Sequence, residues 1–271
     1  MEDEYFIGSL TGNLFGADSL NELSESLTKR MCLKFSRIPG LADWAGESAD
    51  FLGLAYGNDE FKVDSVLEFL GIEQDGRFHI LLSKKFCSQV PEITVNEHRE
   101  AILCKLSSLL EGDTLASEYL LLNLISRIQS RKDGLVDSLQ IGRFSLNITN
   151  LKDKTNLLLF IESLVEKCVR ISLDLKSLNE KALYPKYDSD SDSLETGKIQ
   201  VSDETLLVID EFQLSDGKLE EQGVKNVAAL MNLAKRQFIP FDFKYSKVEI
   251  PCDVPVLILS EGKSIVEVSL F

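Results

Sequence analysis

The sequence predicts an α/β layered domain running from about Val95 to the end of the chain, preceded by a loosely structured N-terminal segment. Three observations carry that prediction. Apolar residues recur at helical spacing in several segments; short apolar or alternating runs that read as strands lie between them; and the first fifty-odd residues show neither pattern clearly. With 271 residues, 44% of them hydrophobic, the chain has ample apolar material for such a core.

Residues 1–58 mix short apolar clusters with Gly, Ser, Asp and Glu, and are expected to be poorly ordered or ordered by a partner; Phe51 to Tyr56 is a compact apolar run within them. Residues 59–94 read as a small connecting region. In it Phe61 to Leu70 fits a strand or a helix equally, and Arg77 to Ser83 fits a strand. From residue 95 the domain proper begins. Glu97 to Leu110 places Ala101, Ile102, Lys105, Leu106, Leu109 and Leu110 at helical spacing, Gly112-Asp113-Thr114 breaks the pattern, and Leu115 to Ile128 resumes it. Arg143 to Thr149 alternates as a strand, and Asn156 to Arg170 reads as an amphipathic helix followed by a β-rich pair of turns.

Tyr187 to Thr196 is the clearest loop, because alternating Ser and Asp bury too little apolar surface to offset the entropy of ordering. Ser189, three residues before Asp192, suits an acid-directed kinase, although a plain solvated insertion is the simpler account of the composition. Leu206 to Ile209 is an unbroken apolar run and reads as a strand buried on both faces. Gly223 to Arg236 reads as a helix with Val224, Val227, Ala228, Met231 and Ala234 on one side. Phe241 to Ile250 alternates as a single strand, and Val254 to Leu259 is a second buried strand.

Charge narrows the function classes. The 29 Lys and Arg face 44 Asp and Glu, a net charge of −15, whereas tracking a phosphate backbone needs a positive footprint; direct nucleic-acid binding is not expected. The N-terminus is acidic, and no apolar stretch approaches the roughly 20 residues of a membrane span, so a soluble intracellular protein with no membrane partner is expected. Cys32, Cys87, Cys104, Cys168 and Cys252 are scattered, with only His79 and His98 to help them. No metal site or cofactor is expected, and the thiols read as buried and free in a reducing compartment. His98 reads as a surface residue and His79 as a satisfied, partly buried one. No Gly-x-Ser-x-Gly elbow is present, and Trp44 reads either as an anchor or as a partner contact.

One segment suggests chemistry. Leu206 to Ile209 followed by Asp210-Glu211 has the form of a Walker B strand, in which the Asp holds Mg²⁺ and the Glu orients the attacking water. A core strand whose terminal acids face solvent has the same form. A phosphate cradle needs Gly-x-x-x-x-Gly-Lys-Ser/Thr. The nearest candidate, Gly112 to Tyr119, has Glu118 where Lys is needed and Tyr119 where Ser or Thr is needed, so a cradle is lacking there.

The stretch from Leu206 to Val266, the stretch from Leu109 to Leu135 and the run Gly142 to Thr149 closely resemble the MCM-binding protein family, the mini-chromosome maintenance complex-binding proteins. Phe61 to Ile72 and Arg77 to Lys85 are similar to upstream segments of the same family. The resemblance implies a nuclear, non-enzymatic partner of MCM helicase subunits, acting in DNA replication through unloading or stabilising MCM complexes, and in sister-chromatid cohesion. It also implies a degenerate AAA+/MCM-like domain. Gly112 to Tyr119 is then either a cradle that has lost its Lys and Ser, or the end of a helix with the cradle deleted. In both cases Asp210 and Glu211 are vestigial, and Ser260 lies where an ATPase strand ends in a sensing polar residue. The enzyme-class alternative is an ATPase completed in trans with an MCM subunit through Asp210 and Glu211. Family members extend further at both ends, so the chain is expected to be a compact member or an incomplete product.

Overall fold

A computed structural model describes residues 4–7, 27–46, 48–56, 61, 64–85, 95–132 and 139–267. They fall into two units, one drawn from residues 1–38 and 47–89, the other from residues 39–46 and 90–271.

The first unit is a five-stranded sheet. Its strands are β1 (Glu4–Ile7), β2 (Leu27–Phe35), β3 (Phe51–Tyr56), β4 (Leu67–Gln74) and β5 (Arg77–Lys85), in the spatial order β1-β2-β3-β5-β4. Only the β3–β5 pairing is parallel. Alternation gathers Phe35, Phe51, Phe69 and Phe78, with ring centroids 4.5 to 5.8 Å apart. Asp75 and Gly76, both at positive φ (52° and 71°), make the two-residue turn that joins β4 to β5.

Poor periodicity predicts loose structure before residue 58, yet β2 and β3 are regular there and pair with each other, and β3 also pairs with β5 across that boundary. The aromatic cluster is assembled from four strands distant in sequence, a gain that local periodicity does not record. The part of the expectation that falls on residues 1–3 and 8–26 lies outside the described residues.

The second unit contains, in chain order, α1 (Val95–Leu109), α2 (Thr114–Ile125), β6 (Ser130–Lys132), β7 (Leu139–Ile141), β8 (Leu146–Thr149), α3 (Lys154–Leu164), β9 (Cys168–Ser172) and α4 (Leu175–Glu180). There follow β10 (Lys186–Asp188), β11 (Ser193–Glu195), β12 (Leu206–Asp210), α5 (Glu221–Arg236), β13 (Phe238–Asp242), β14 (Lys247–Pro251) and β15 (Val256–Ser260). Its centre is a parallel sheet in the order β8-β15-β12-β9. A mixed sheet, β11-β10-β13-β14, and the β6–β7 ribbon complete it.

Every residue of β12 and β15 is buried, as the unbroken apolar runs predict. Leu206, Val208, Leu257 and Leu259 pack with Leu106, Leu120, Leu157 and Ile161 of α1 to α3. Leu207, Ile209, Val256 and Ile258 pack on the opposite face with Leu230 and Leu233 of α5. The domain is therefore a layered α/β structure with helices on both faces of a parallel sheet. Three helices start on an aspartate: Asp113, Asp153 and Asp174 accept the backbone N–H of Ala116, Asn156 and Ser177 at 2.9, 3.1 and 2.8 Å.

Several boundaries differ from expectation. The helix predicted over Asn156 to Arg170 stops at Leu164, and Cys168 to Ser172 becomes β9 because it pairs in register along all of β12. The predicted loop at 187–196 is a short hairpin, β10 with β11, seated beside β13. Lys244 reinforces it, lying 3.4 Å from Asp192 and 4.9 Å from the centre of the Tyr187 ring. The single strand predicted over Phe241 to Ile250 is the β13–β14 hairpin. On α5 the buried face overlaps the predicted one only in part: Val227 and Ala234 are buried as expected, but Val224 and Ala228 are exposed, and Asn226, Ala229, Leu230 and Leu233 are buried instead.

The thiols divide. Cys252 is buried and Cys168 half-buried, and burial pushes both up to about 12, which leaves them unreactive. Cys32 and Cys104 are exposed, contrary to the expected burial, and Cys87 lies outside the described residues.

Residues 39–42 lie against β9. The Cys168 N–H donates to the Gly40 carbonyl at 2.9 Å, and the Ala42 N–H donates to Glu166 at 2.8 Å. Gly40 sits at φ +67°, and a Cβ there would come 2.0 Å from the Cys168 carbonyl oxygen. Gly40→Ala therefore has to push the strip off the strand, losing both hydrogen bonds, at a cost of about 2 kcal/mol. Urea unfolding and faster hydrogen exchange at the Cys168 and Ala42 amides check this; unchanged protection at both would refute it.

Candidate functional site

Successive residues of a strand point to opposite faces, so the acidic pair that ends β12 is divided between two environments. Asp210 faces α3 and is fully buried. Lys154 Nζ lies 3.3 Å from both of its oxygens, Arg170 bonds to Oδ2, and the Phe212 N–H donates to Oδ1 at 3.2 Å. Lys154 is the first residue of α3, just past the capping Asp153. Arg170 is paired in register with Val208 on the neighbouring strand, which puts it on the same face as Asp210. Burial is the largest influence on the Asp210 carboxyl and pushes it up; Arg170, the Phe212 N–H and Lys154 together outweigh it and hold the group below the ordinary carboxylate value.

Glu211 is buried on the other face. Its Oε1 accepts Ser264 Oγ at 2.8 Å and the Val266 N–H at 3.4 Å, and its Oε2 accepts the Ile265 N–H at 3.3 Å. It thereby ties residues 264–266 to the sheet edge. Burial pushes its carboxyl up, and these donors offset only part of that. A carboxyl raised on folding binds more protons folded than unfolded, so its contribution to stability falls as pH rises from 4.5 through the folded value. Glu211→Gln is expected to gain on the parent over that range. Urea titrations from pH 4.5 to 8 test this; a difference between the two proteins that does not change with pH refutes it.

The Walker-B-like form of residues 206–211 raises the question of a magnesium nucleotide. The residues do not fit one. Both Asp210 oxygens already face cations, and both Glu211 oxygens already accept hydrogen bonds. The strand–loop–helix layout that a cradle requires occurs at residues 148–155, where Lys154-Thr155 stands in the Lys-Ser/Thr place. Ile148 and Asp153 occupy the two glycine positions, and the Asp153 carboxylate takes the helix N–H groups that a phosphate would need.

The candidate cradle at Gly112 to Tyr119 is a different structure. Gly112, at φ +90°, closes the turn after α1, so a helix precedes it rather than a strand. Glu118 and Tyr119 are exposed on α2, and Glu118 lies 3.8 Å from Arg99. Ser260, at the end of β15, has its hydroxyl 2.8 Å from the Gly262 carbonyl and 3.1 Å from Asn147 Oδ1, either of which can accept its one proton. Ser189 is exposed on the β10–β11 hairpin, and no bond joins it to the acidic pair. His98 is exposed, whereas His79 is partly buried with its Nδ1 2.5 Å from the Tyr56 hydroxyl. Trp44 is 60% exposed.

Sequence reasoning missed Lys154 and Arg170. The signal for the first was Asp153-Lys154-Thr155 between an alternating run and a helix; Arg170 had none, because its segment reads as helical. Beyond Glu211, the segments 211–219 and 260–265 enclose a cavity of about 340 Å³. Among the described residues no three His, Cys, Asp or Glu side chains gather as a metal site, and no helix is long and apolar enough to cross a membrane.

The family model described as mini-chromosome maintenance replisome factor matches residues 77–270, which take in the whole of this site. The chain belongs to that family. Mini-chromosome maintenance complex-binding proteins are among its curated relatives. That of Salmo salar is 40% identical over 170 residues, 62% of this chain and 26% of the relative. That of Homo sapiens is 37% identical over 171 residues, with the same shares, and that of Dictyostelium discoideum is 38% identical over 161 residues, 57% of this chain and 22% of the relative. The chain thus spans about a quarter of the length of the curated relatives it matches.

Proposed function

We propose that this chain is a non-enzymatic partner of the MCM replicative helicase complex, acting in DNA replication in the nucleus by docking on MCM subunits. Its relatives carry binding to that complex in their names. The observation that carries the non-enzymatic part is the Asp210 cluster, in which Lys154 and Arg170 neutralise the one carboxylate that a Walker B metal would need.

The same edge of the sheet supports a degenerate AAA+/MCM-like reading. A strand, a loop and Lys154-Thr155 at a helix start lie on one side of the acidic strand's neighbour; the neighbour itself ends in the polar Ser260; and the glycines of the cradle are gone. A pseudo-ATPase of this kind keeps a subunit-shaped surface without turnover. It acts by capping or replacing a true subunit, in unloading or stabilising MCM complexes and, through them, in sister-chromatid cohesion. The cations on Asp210 count against an ATPase completed in trans.

Affinity capture from nuclear extract, with and without ATP, tests the proposal. MCM subunits enriched equally in both conditions, and equally by Asp210→Asn, are the expected result. No MCM subunits in the eluate, or capture that depends on ATP, overturns it.

A further inference from the structure

The cavity beyond Glu211 lies at the carboxyl edge of a parallel sheet, the place where α/β folds bind their ligands. Leu175, Leu214 and Leu219 give it apolar lining. Glu211, Asp216 and Glu261 bring three carboxyl groups to it, against the single ammonium of Lys263. Asp216, Glu261 and Lys263 are exposed, and none of them has an ion-pair partner among the described residues. Glu211, 7% exposed, is the buried member of the lining; its Oε1 already accepts two hydrogen bonds and its Oε2 one, which leaves Oε2 room for a single further N–H donor though not for a metal.

We infer that this cavity receives an arginine side chain from a protein partner. An arginine combines a three-carbon apolar stem, suited to Leu214 and Leu219, with a planar fork of five donors that matches carboxylates. A phosphate or carboxylate ligand would meet like charge. A neutral apolar ligand would strip water from Asp216 and Glu261 and leave them unpaired. The net charge of −15 steers a basic surface toward the site. Glu211 fits the same reading: burial pushes its carboxyl up, and an arriving cation favours its ionised form. The inference deepens the docking proposal and rests on it for the partner's being a protein.

The test titrates the ¹⁵N-labelled full chain with the peptide acetyl-Gly-Arg-Gly-amide and with its citrulline counterpart, which has the same shape and no charge. Saturable shifts confined to the amides of 211–219 and 260–265 are expected, with the citrulline peptide at least tenfold weaker. The double variant Asp216→Asn, Glu261→Gln changes only exposed side chains and should lose the response at least tenfold while keeping the parent's spectrum elsewhere. Arginine and citrulline peptides within twofold of each other, shifts spread over the acidic surface, or a double variant that responds like the parent would each overturn the inference. Capture of MCM subunits separates it from the docking proposal. If parent and double variant capture them equally, the cavity is not the anchor although docking stands. If the parent captures none, docking fails and the titration alone decides the cavity.

Discussion

Asp210→Ala is expected to lower the unfolding free energy by about 3 kcal/mol. The substitution removes the anion between Lys154 and Arg170 and leaves two cations facing each other at the edge of the core. Their side chains are 27% and 40% exposed, so water recovers part of the cost, which places the effect at the low end of what breaking a buried pair brings. The pH dependence has a definite sign. The Asp210 carboxyl is held below its usual 3.8, so its stabilising contribution is complete above that value and is lost as pH falls through the lower folded value. Urea unfolding of parent and variant at pH 7 and in acid gives both quantities. A difference under about 1 kcal/mol at pH 7 would mean that the cluster is solvated and that Asp210 is open to other partners.

Asn226→Ala is expected to cost a similar amount, about 3 kcal/mol, for a different reason. Asn226 is fully buried on α5. Its Oδ1 accepts the Leu183 N–H at 2.9 Å, and its Nδ2 donates to the carbonyls of Leu178 and Lys181 at 2.8 and 2.7 Å. Those carbonyls lie in and just after α4, where helix geometry supplies no partners, so alanine strands three backbone groups in the interior. Asn226→Asp is expected to be no better, because it turns two donors toward carbonyls into repulsions and buries a charge. Thermal and urea unfolding of both variants decide the matter; loss of less than about 1 kcal/mol in Asn226→Ala would show that the α4 end finds water instead.

Asn226 also shows where the sequence stops being legible. Periodicity located α5 and two of its buried residues, Val227 and Ala234, but centred the face too far round, because the rule assigns polar residues to solvent and here an asparagine is the residue the interior needs. β12 and β15 were plain in the sequence, since a strand buried on both faces is apolar at every position. The first sheet was not, because its strands are half-buried and its aromatic cluster forms between segments far apart. The 187–196 hairpin has a loop's composition, and the neighbours it is seated against, β13 and Lys244, lie some fifty residues further on. The candidate site divides in the same way. Asp210 and Glu211 announce themselves as a pair after an apolar run. Lys154 and Arg170, which decide what Asp210 does, lie 56 and 40 residues away from it.

The strip that Gly40 lays along β9 sets an order of events at the ribosome. Residues 39–46 belong to the second unit but are flanked on both sides by the first, and they hydrogen-bond to residues 166 and 168. Ala42 leaves the ribosome well before Glu166, and at typical elongation rates the wait is on the order of ten seconds. The strands on either side, at 30–35 and 51–56, are each other's partners and can meet much sooner. During that interval the strip is a bare backbone tethered at both ends, and the edge of β9 that it will seal has not yet been made.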